Sequence, residues 1–329
     1  VNRSGLLPCF AKHRRQAGLI HGKADMERAK AVPKKKKLPA VFIAVCVIPG
    51  VTLVTLFILI PAVWAMFLSL TDSNILQING NFIGLENFRD MFQESNFLQA
   101  LANTFKLLAV IPIITIFCAF ILAFLIQQSD LREKNFYISV YFMPSLIAAT
   151  IVAIVFSFVF HPTSGILNRF LELVGLGNLK HAWLGEAETA LWCVGATIIW
   201  SAVGYYMVMH LAGMDSISPE IYEAATMDGA TFWTKFNHIT LPMMKDILGI
   251  TYVLAISNTL GSSYVLTSLM TNGGPNGTSN VILRYIYEQG ISSGNMGYAS
   301  AVTVFTLTIV IGLALLSRKM TESKEGSWE

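Results

Sequence analysis

Long apolar runs alternate with short polar breaks along most of this chain. A membrane-crossing helix needs about 20 mostly apolar residues. Six stretches meet that length: residues 41–70, 105–127, 136–160, 190–214, 247–270 and 298–316. The first carries Pro49 and Pro61 in an uncharged run, and the third carries Pro144. Proline in a span predicts a kink, tolerated where neighbouring helices satisfy the freed backbone groups. Each run is predicted to be one helix. The fold class is therefore an all-α integral membrane protein with six transmembrane helices.

The polar breaks predict smaller elements. Residues 71–103 read as an exposed loop with a short helix over 85–92, and 130–134 as a charged turn. Residues 161–188 form a glycine-containing loop in which 165–174 has the pattern of a short amphipathic helix. Asn272-Gly273-Gly274-Pro275 ends the fifth run. The break between the fourth and fifth runs, 217–243, is the most structured in sequence terms. Ser218 is placed to cap a helix, Pro219 fits its first position, and Glu220 suits the positive end of its dipole. Gly229 ends or turns that helix. Thr231 then caps a second short helix through Phe236, ended by Leu241-Pro242. The expected product is a protruding knuckle of two short helices that fits a groove on another protein. An ordinary amphipathic interfacial helix has the same composition.

Composition agrees with the hydropathy pattern. The chain has 329 residues, 54% hydrophobic and 13% charged, where soluble domains carry about 25% charged residues. The net charge is only +3, but eleven of the 23 Lys and Arg precede residue 38. Six spans put both termini on one side. With that side inside, the inner segments hold eighteen Lys and Arg and the outer loops four. The positive-inside rule then places both termini and the 217–243 break in the cytoplasm. The domains follow: a basic cytoplasmic segment 1–39, a transmembrane domain 40–317 and a cytoplasmic tail 318–329. The basic segment precedes an apolar run too long for a signal peptide. It reads as an anchor for anionic membrane lipid, not for nucleic acid. Cys9, Cys46, Cys118 and Cys193 are widely separated, which predicts neither a disulfide framework nor a metal site.

The chemistry that is missing narrows the function. No phosphate-binding G-x-x-x-x-G-K-[ST] loop, G-x-S-x-G elbow, H-E-x-x-H pair or Cys/His cluster occurs. The chain reads as a non-enzyme. An ion-driven carrier usually needs a buried carboxylate, and the spans hold almost no charged residue. His210 in the fourth span is a candidate proton relay, though a packed, hydrogen-bonded histidine is the plainer reading. The pattern describes a pathway for a polar solute whose driving energy enters from outside the chain. The competing reading is a secondary carrier or channel.

The residues of the polar break carry a resemblance. Glu223-Ala224-Ala225, then Gly229, then Ile239-x-Leu241-Pro242 meet every position of E-A-A-x(3)-G-x(9)-I-x-L-P. This resembles the EAA motif of the membrane subunits of binding-protein-dependent ABC importers. Phe142-Met143-Pro144, Trp183-Leu184-Gly185, Leu269 to Pro275 and Met296 to Ala301 look like the carbohydrate branch. That branch contains the maltose-, multiple-sugar- and glycerol-phosphate-type permeases. The expected six-span pattern departs from the maltose type, which adds a large external domain and further N-terminal spans.

The resemblance implies a machine of several parts. A second, homologous permease and two copies of an ATPase complete the membrane assembly, and an extracytoplasmic binding protein delivers the carbohydrate. ATP and Mg²⁺ act on the ATPase, and this chain binds no cofactor. Glu223, Ala224, Ala225, Asp228 and Gly229 would form the element that docks into the ATPase.

Substrate contacts are expected from aromatic and neutral polar groups inside the spans. Asn258, Ser262, Ser263 and Tyr264 in the fifth run and Tyr205 in the fourth are the candidates. Asn258 and Ser262 are four apart and share a helix face. In maltose-type relatives these spans line the pathway, and a count back from the EAA segment places a pathway tyrosine at Tyr205.

Overall fold

A computed structural model describes residues 40–77, 80–128 and 132–322, with side chains described from 44 to 312. The basic segment 1–39 and the last part of the tail, 323–329, lie outside the described residues, as do 129–131 of the charged turn. Among the described residues the structure is helical throughout. Its one β contact is an isolated bridge between Thr71 and Phe82. The chain divides after Pro61 into two units, each described by itself.

The helices in chain order are α1 (Ala40–Val54), α2 (Ile60–Leu68), α3 (Glu86–Gln93), α4 (Ser95–Gln128), α5 (Lys134–Phe142), α6 (Ala149–Val159) and α7 (Ile166–Leu173). They continue with α8 (Ala190–Met214), α9 (Pro219–Met227), α10 (Phe232–Lys235), α11 (Leu241–Met243), α12 (Lys245–Met270), α13 (Ile282–Tyr287) and α14 (Met296–Glu322). Among the described residues, four helices are long and apolar enough to cross a membrane alone: Ala44–Leu68, Ser95–Gln128, Ala190–Met214 and Lys245–Met270. The described apolar part of α14, Met296–Gly312, is shorter.

The expected third span is not one helix. Residues 136–160 were expected to kink at Pro144, but the chain breaks into two helices bent by 98°. A 3₁₀ turn, Met143–Leu146, ends the first half, and Ile147 and Ala148 are extended with ψ of 132° and 135°. Proline lacks the N–H that would continue the helix, and Ser145 Oγ bonds the Phe142 carbonyl at 2.7 Å, holding the turn closed. The second span also differs, beginning at Ser95 rather than 105. Its polar first turns are stabilised from far along the chain. Asn103 Nδ2 donates to the Thr278 and Asn280 carbonyls at 2.9 and 3.0 Å.

Helices α4, α8 and α12 form the centre of the second unit, with α4 and α8 in the most extensive contact. Two apolar clusters hold them. One joins Ile116 to Ile126 of α4 to Ala202 to Met214 of α8, with Phe236, Met244 and Ala255. The other joins Leu107 and Ile111 to Leu191 to Ile198, Val152, Leu266 and Met270. The same three helices therefore have two distinct ends. At one end α8 leads into α9 and the knuckle, beside the start of α12. At the other, the end of α12 and the loop 271–281 meet the start of α4.

Candidate functional site

The knuckle is built much as its residues predict. Pro219 and Glu220 open α9, and Gly229 closes it with φ of +78°, a left-handed conformation that favours glycine. The Gly229 N–H donates to the Thr226 carbonyl at 3.0 Å, and the Ala230 N–H to Ala225 at 2.8 Å. These two bonds make a Schellman cap, so Glu223-Ala224-Ala225 and Gly229 belong to one cap-terminated helix. Ser218 differs from expectation, because its side chain makes no cap bond. Thr231 does cap α10, accepting from the Thr234 N–H at 3.3 Å.

The two arms of the knuckle are fastened to each other and to α4. Tyr222 Oη and Thr240 Oγ1 are 2.9 Å apart across the arms. Phe124 of α4 packs its ring 4.7 Å from Phe232 and 5.0 Å from Phe236, and Phe120 lies 5.4 Å from Phe236. These aromatics were not singled out from the sequence, where they read as span and insert residues. Glu223, Ala224, Met227, Asp228 and Gly229 remain exposed, and Ala225 is half-buried. Met227 is 88% exposed at the tip. His210 lies above this region, fully buried, with Nε2 3.0 Å from Thr251 Oγ1 and its ring edge-on to Phe120. That is the packed, hydrogen-bonded histidine, joining α8 to α12.

A cavity of about 400 Å³ opens at the break of the third span. Pro144, Ser145 and Ile147 form one wall, Ser201, Tyr205 and Tyr206 of α8 a second, and Asn258, Ser262 and Leu266 of α12 a third. Tyr205, Asn258 and Ser262, chosen from sequence, come together here. Tyr205 is half-exposed and meets the buried Tyr206 at 5.2 Å, edge to face. Ser262 Oγ donates to Asn258 Oδ1 at 3.3 Å. Ser263 and Tyr264 lie elsewhere. Ser263 is buried and bonds the Leu260 carbonyl at 2.8 Å, and Tyr264 faces Tyr287 at 6.0 Å in a separate apolar groove. One and two steps along a helix turn a side chain about 100° and 200° away from Ser262. Ser145 and Ser201 were missed. Their only signal was a small hydroxyl beside a proline and beside a tryptophan.

The cavity's lining can accept and donate hydrogen bonds without carrying charge, and Tyr205 offers an aromatic edge beside them. A polar, neutral solute suits such a lining.

Comparison with known proteins agrees with this geometry. The model for the binding-protein-dependent transport system inner membrane component matches residues 134–321, more than half of the chain. The chain belongs to that family. It is 34% identical over 292 residues to the probable ABC transporter permease protein YurN of Bacillus subtilis, covering 88% of this chain and 97% of that protein. It is 30% identical over 310 residues to the diacetylchitobiose uptake system permease protein NgcF of Streptomyces coelicolor, covering 89% and 88%. Among solved structures it resembles a chain of a bacterial ABC transporter involved in the import of the acidic polysaccharide alginate. There the TM-score is 0.76 at 23% identity, over 86% of this chain and 96% of that one. The protein is thus an integral inner-membrane permease component of a transport system, and its helices carry that family's fold.

Proposed function

We propose that this permease moves a carbohydrate through the cytoplasmic membrane as one subunit of an ATP-driven importer. Family membership is the observation that carries the reading. Relatives named for diacetylchitobiose uptake and arabinooligosaccharide transport, and a structural neighbour named for alginate import, support the substrate class. The neutral, hydroxyl- and amide-lined cavity is in keeping with it.

In this reading the chain has six spans, the third broken, with both termini in the cytoplasm. A second permease completes the pathway, and a binding protein loads it. Each permease engages one ATPase subunit, which holds the ATP and Mg²⁺. Glu223, Ala224, Ala225, Asp228 and Gly229 present the docking face. What favours this face is its exposure on a capped, two-armed element rather than on a loose loop. ATPase closure would displace the knuckle and, through Phe124, the helix α4 to which it is fastened. Tyr205, Asn258 and Ser262 would touch the passing sugar. Ser263 and Tyr264 would act on the pathway only indirectly.

The test is uptake of labelled oligosaccharides by proteoliposomes containing the reconstituted importer. Uptake is expected to require both ATP and the binding protein. Uptake driven by an ion gradient without ATP would favour a secondary carrier and overturn the proposal.

A further inference from the structure

The bundle holds a second polar concavity, at the end opposite the knuckle. It has a volume of about 350 Å³, within the range of small-molecule sites. The residues that give it chemistry are Asn272, Asn276, Asn280, Arg284, Glu288 and Gln289. Helix α4 fixes its position. Asn103 near the start of α4 bonds the carbonyls of the loop that forms the cup, while Phe124 near its end contacts the knuckle. At 1.5 Å per residue those two points are about 32 Å apart, the thickness of a bilayer core.

The cup is held from behind. Asn103 reaches the Thr278 and Asn280 carbonyls, and Thr104 Oγ1 accepts from the Ile282 N–H at 2.9 Å. Asn272 and Gly273 adopt φ of 49° and 78°. A Cβ on Gly273 would stand 2.6 Å from Arg284 Nη1, and its left-handed φ favours glycine, so the loop closes down over that guanidinium.

Arg284 is nearly buried, and three of its five N–H donors are committed within the cup. Nη1 binds Glu288 Oε2 at 2.9 Å and Asn280 Oδ1 at 3.1 Å, and Nη2 binds Asn272 Oδ1 at 2.8 Å. Its charge is cancelled within the cup, which removes the reason for an anion to settle there. The carboxamides of Asn276 and Gln289 make no side-chain hydrogen bond among the described residues. A carboxamide offers both donors and acceptors, and a sugar hydroxyl needs both.

We propose that this cup is a binding site for a neutral, polyhydroxylated ligand, one sugar unit of the transported glycan, held by Asn276 and Gln289 at the outer mouth. The proposal rests on the carbohydrate reading above and adds to it a contact outside the mid-bundle cavity. Its physical use is to hold the sugar once it leaves the binding protein and before it reaches Tyr205.

The test uses the whole importer in proteoliposomes with its binding protein and a panel of chitobiose, arabinotriose and maltotriose. The double variant Asn276→Gly with Gln289→Ala removes both carboxamides, and glycine tolerates the left-handed φ of position 276. Its uptake at saturating binding protein is expected to fall about tenfold, as for the loss of two neutral hydrogen bonds. Binding-protein affinity and stimulated ATP hydrolysis are expected to stay within about twofold of wild type. Gln289→Asn, which keeps the amide, is expected to retain most of the uptake. Unchanged uptake in the double variant, with the wild type moving these sugars, overturns the cup alone. A parallel loss of binding-protein affinity also overturns it, making the cup a protein-docking face. If the wild type moves none of the sugars but another class of solute, the carbohydrate reading fails and the cup fails with it.

Discussion

Gly204 is the point at which the broken third span presses hardest on α8, and Gly204→Ala tests that packing. A Cβ added there would lie 1.8 Å from the Tyr141 carbonyl oxygen and 2.9 Å from Phe142 Cα. Carbon and oxygen meet comfortably at roughly 3.3 Å. The backbones would have to part by about 1.5 Å to reach that contact distance. Neither atom is the end of a flexible side chain, so the shift cannot be absorbed by a rotamer. Overpacking costs about 1–3 kcal/mol, and a backbone obstacle places this case near 3. Such a loss lowers the melting temperature by roughly 5–10 °C in a domain of this size. Gly261→Ala on α12 is the control. Nothing lies within 4 Å of its added Cβ, and alanine is the better helix former by up to about 1 kcal/mol. Thermal unfolding of the purified importer carrying each variant is the measurement. Uptake should fall as well in Gly204→Ala, because Tyr205 and Ser145 line the cavity on either side of the contact. Equal melting temperatures for the two variants would refute the packing argument.

Other expectations follow from single residues. Tyr205→Ala should reduce oligosaccharide uptake about tenfold with little change in melting temperature, because the ring is half-exposed; unchanged uptake would remove it from the pathway. Glu223→Lys should abolish coupled uptake at unchanged thermal stability, since the side chain is exposed; normal uptake would sink its docking role. Gly229→Ala should destabilise the knuckle by about 1–2 kcal/mol through its left-handed φ, read as faster amide exchange at Gly229 and Ala230. Glu186 accepts from the Ala182 N–H at 2.8 Å and from His181 Nδ1 at 2.8 Å, and the Ala182 bond chiefly holds its carboxyl below the ordinary 4.5. The hold on this loop is therefore complete above pH 4.5 and lost as pH falls through the lower value. Ala182 amide protection should be flat from neutral pH to about 5 and decline in acid; protection persisting in Glu186→Gln at all pH values would contradict this.

The sequence foretold most where a local rule decides the outcome. The fourth span was expected over 190–214 and α8 is Ala190–Met214, because an unbroken apolar run between polar loops leaves no other boundary. The amphipathic helix expected over 165–174 is α7, and the short helix expected over 85–92 is α3, Glu86–Gln93. Glycine and threonine in the knuckle act through bonds to residues three to five away, so they were legible too. The size of the third-span break was not. Pro144 announces a disturbance, but the 98° bend is seated against Gly204 of another helix. The early start of α4 was hidden for the same reason, since Asn103 is satisfied by carbonyls 175 and 177 positions away. In the cavity the shared face of Asn258 and Ser262 was readable. The neighbours Ser263 and Tyr264 were taken with them by adjacency, which a helix does not respect.

The cavity's place in the core bears on what the family does. The apolar interior around α4 is divided. Residues from Ile116 onward pack with the lower half of α8 and the knuckle, and residues up to Ile111 pack with its upper half and the end of α12. Pro112 stands between them, buried in α4, and its missing N–H interrupts the helix ladder at that level. Ser201, Ala202 and Leu266, which line the cavity, fall on the same seam. A close-packed core resists deformation, because separating its side chains forfeits many small contacts at once. A solute pathway that opens and closes through one continuous core would incur that loss in every cycle. Two cores that meet at a cavity carrying hydroxyl and amide groups need not. Each keeps its own contacts while the lining between them, hydroxyls and amides that water or sugar can satisfy, is exposed and covered in turn.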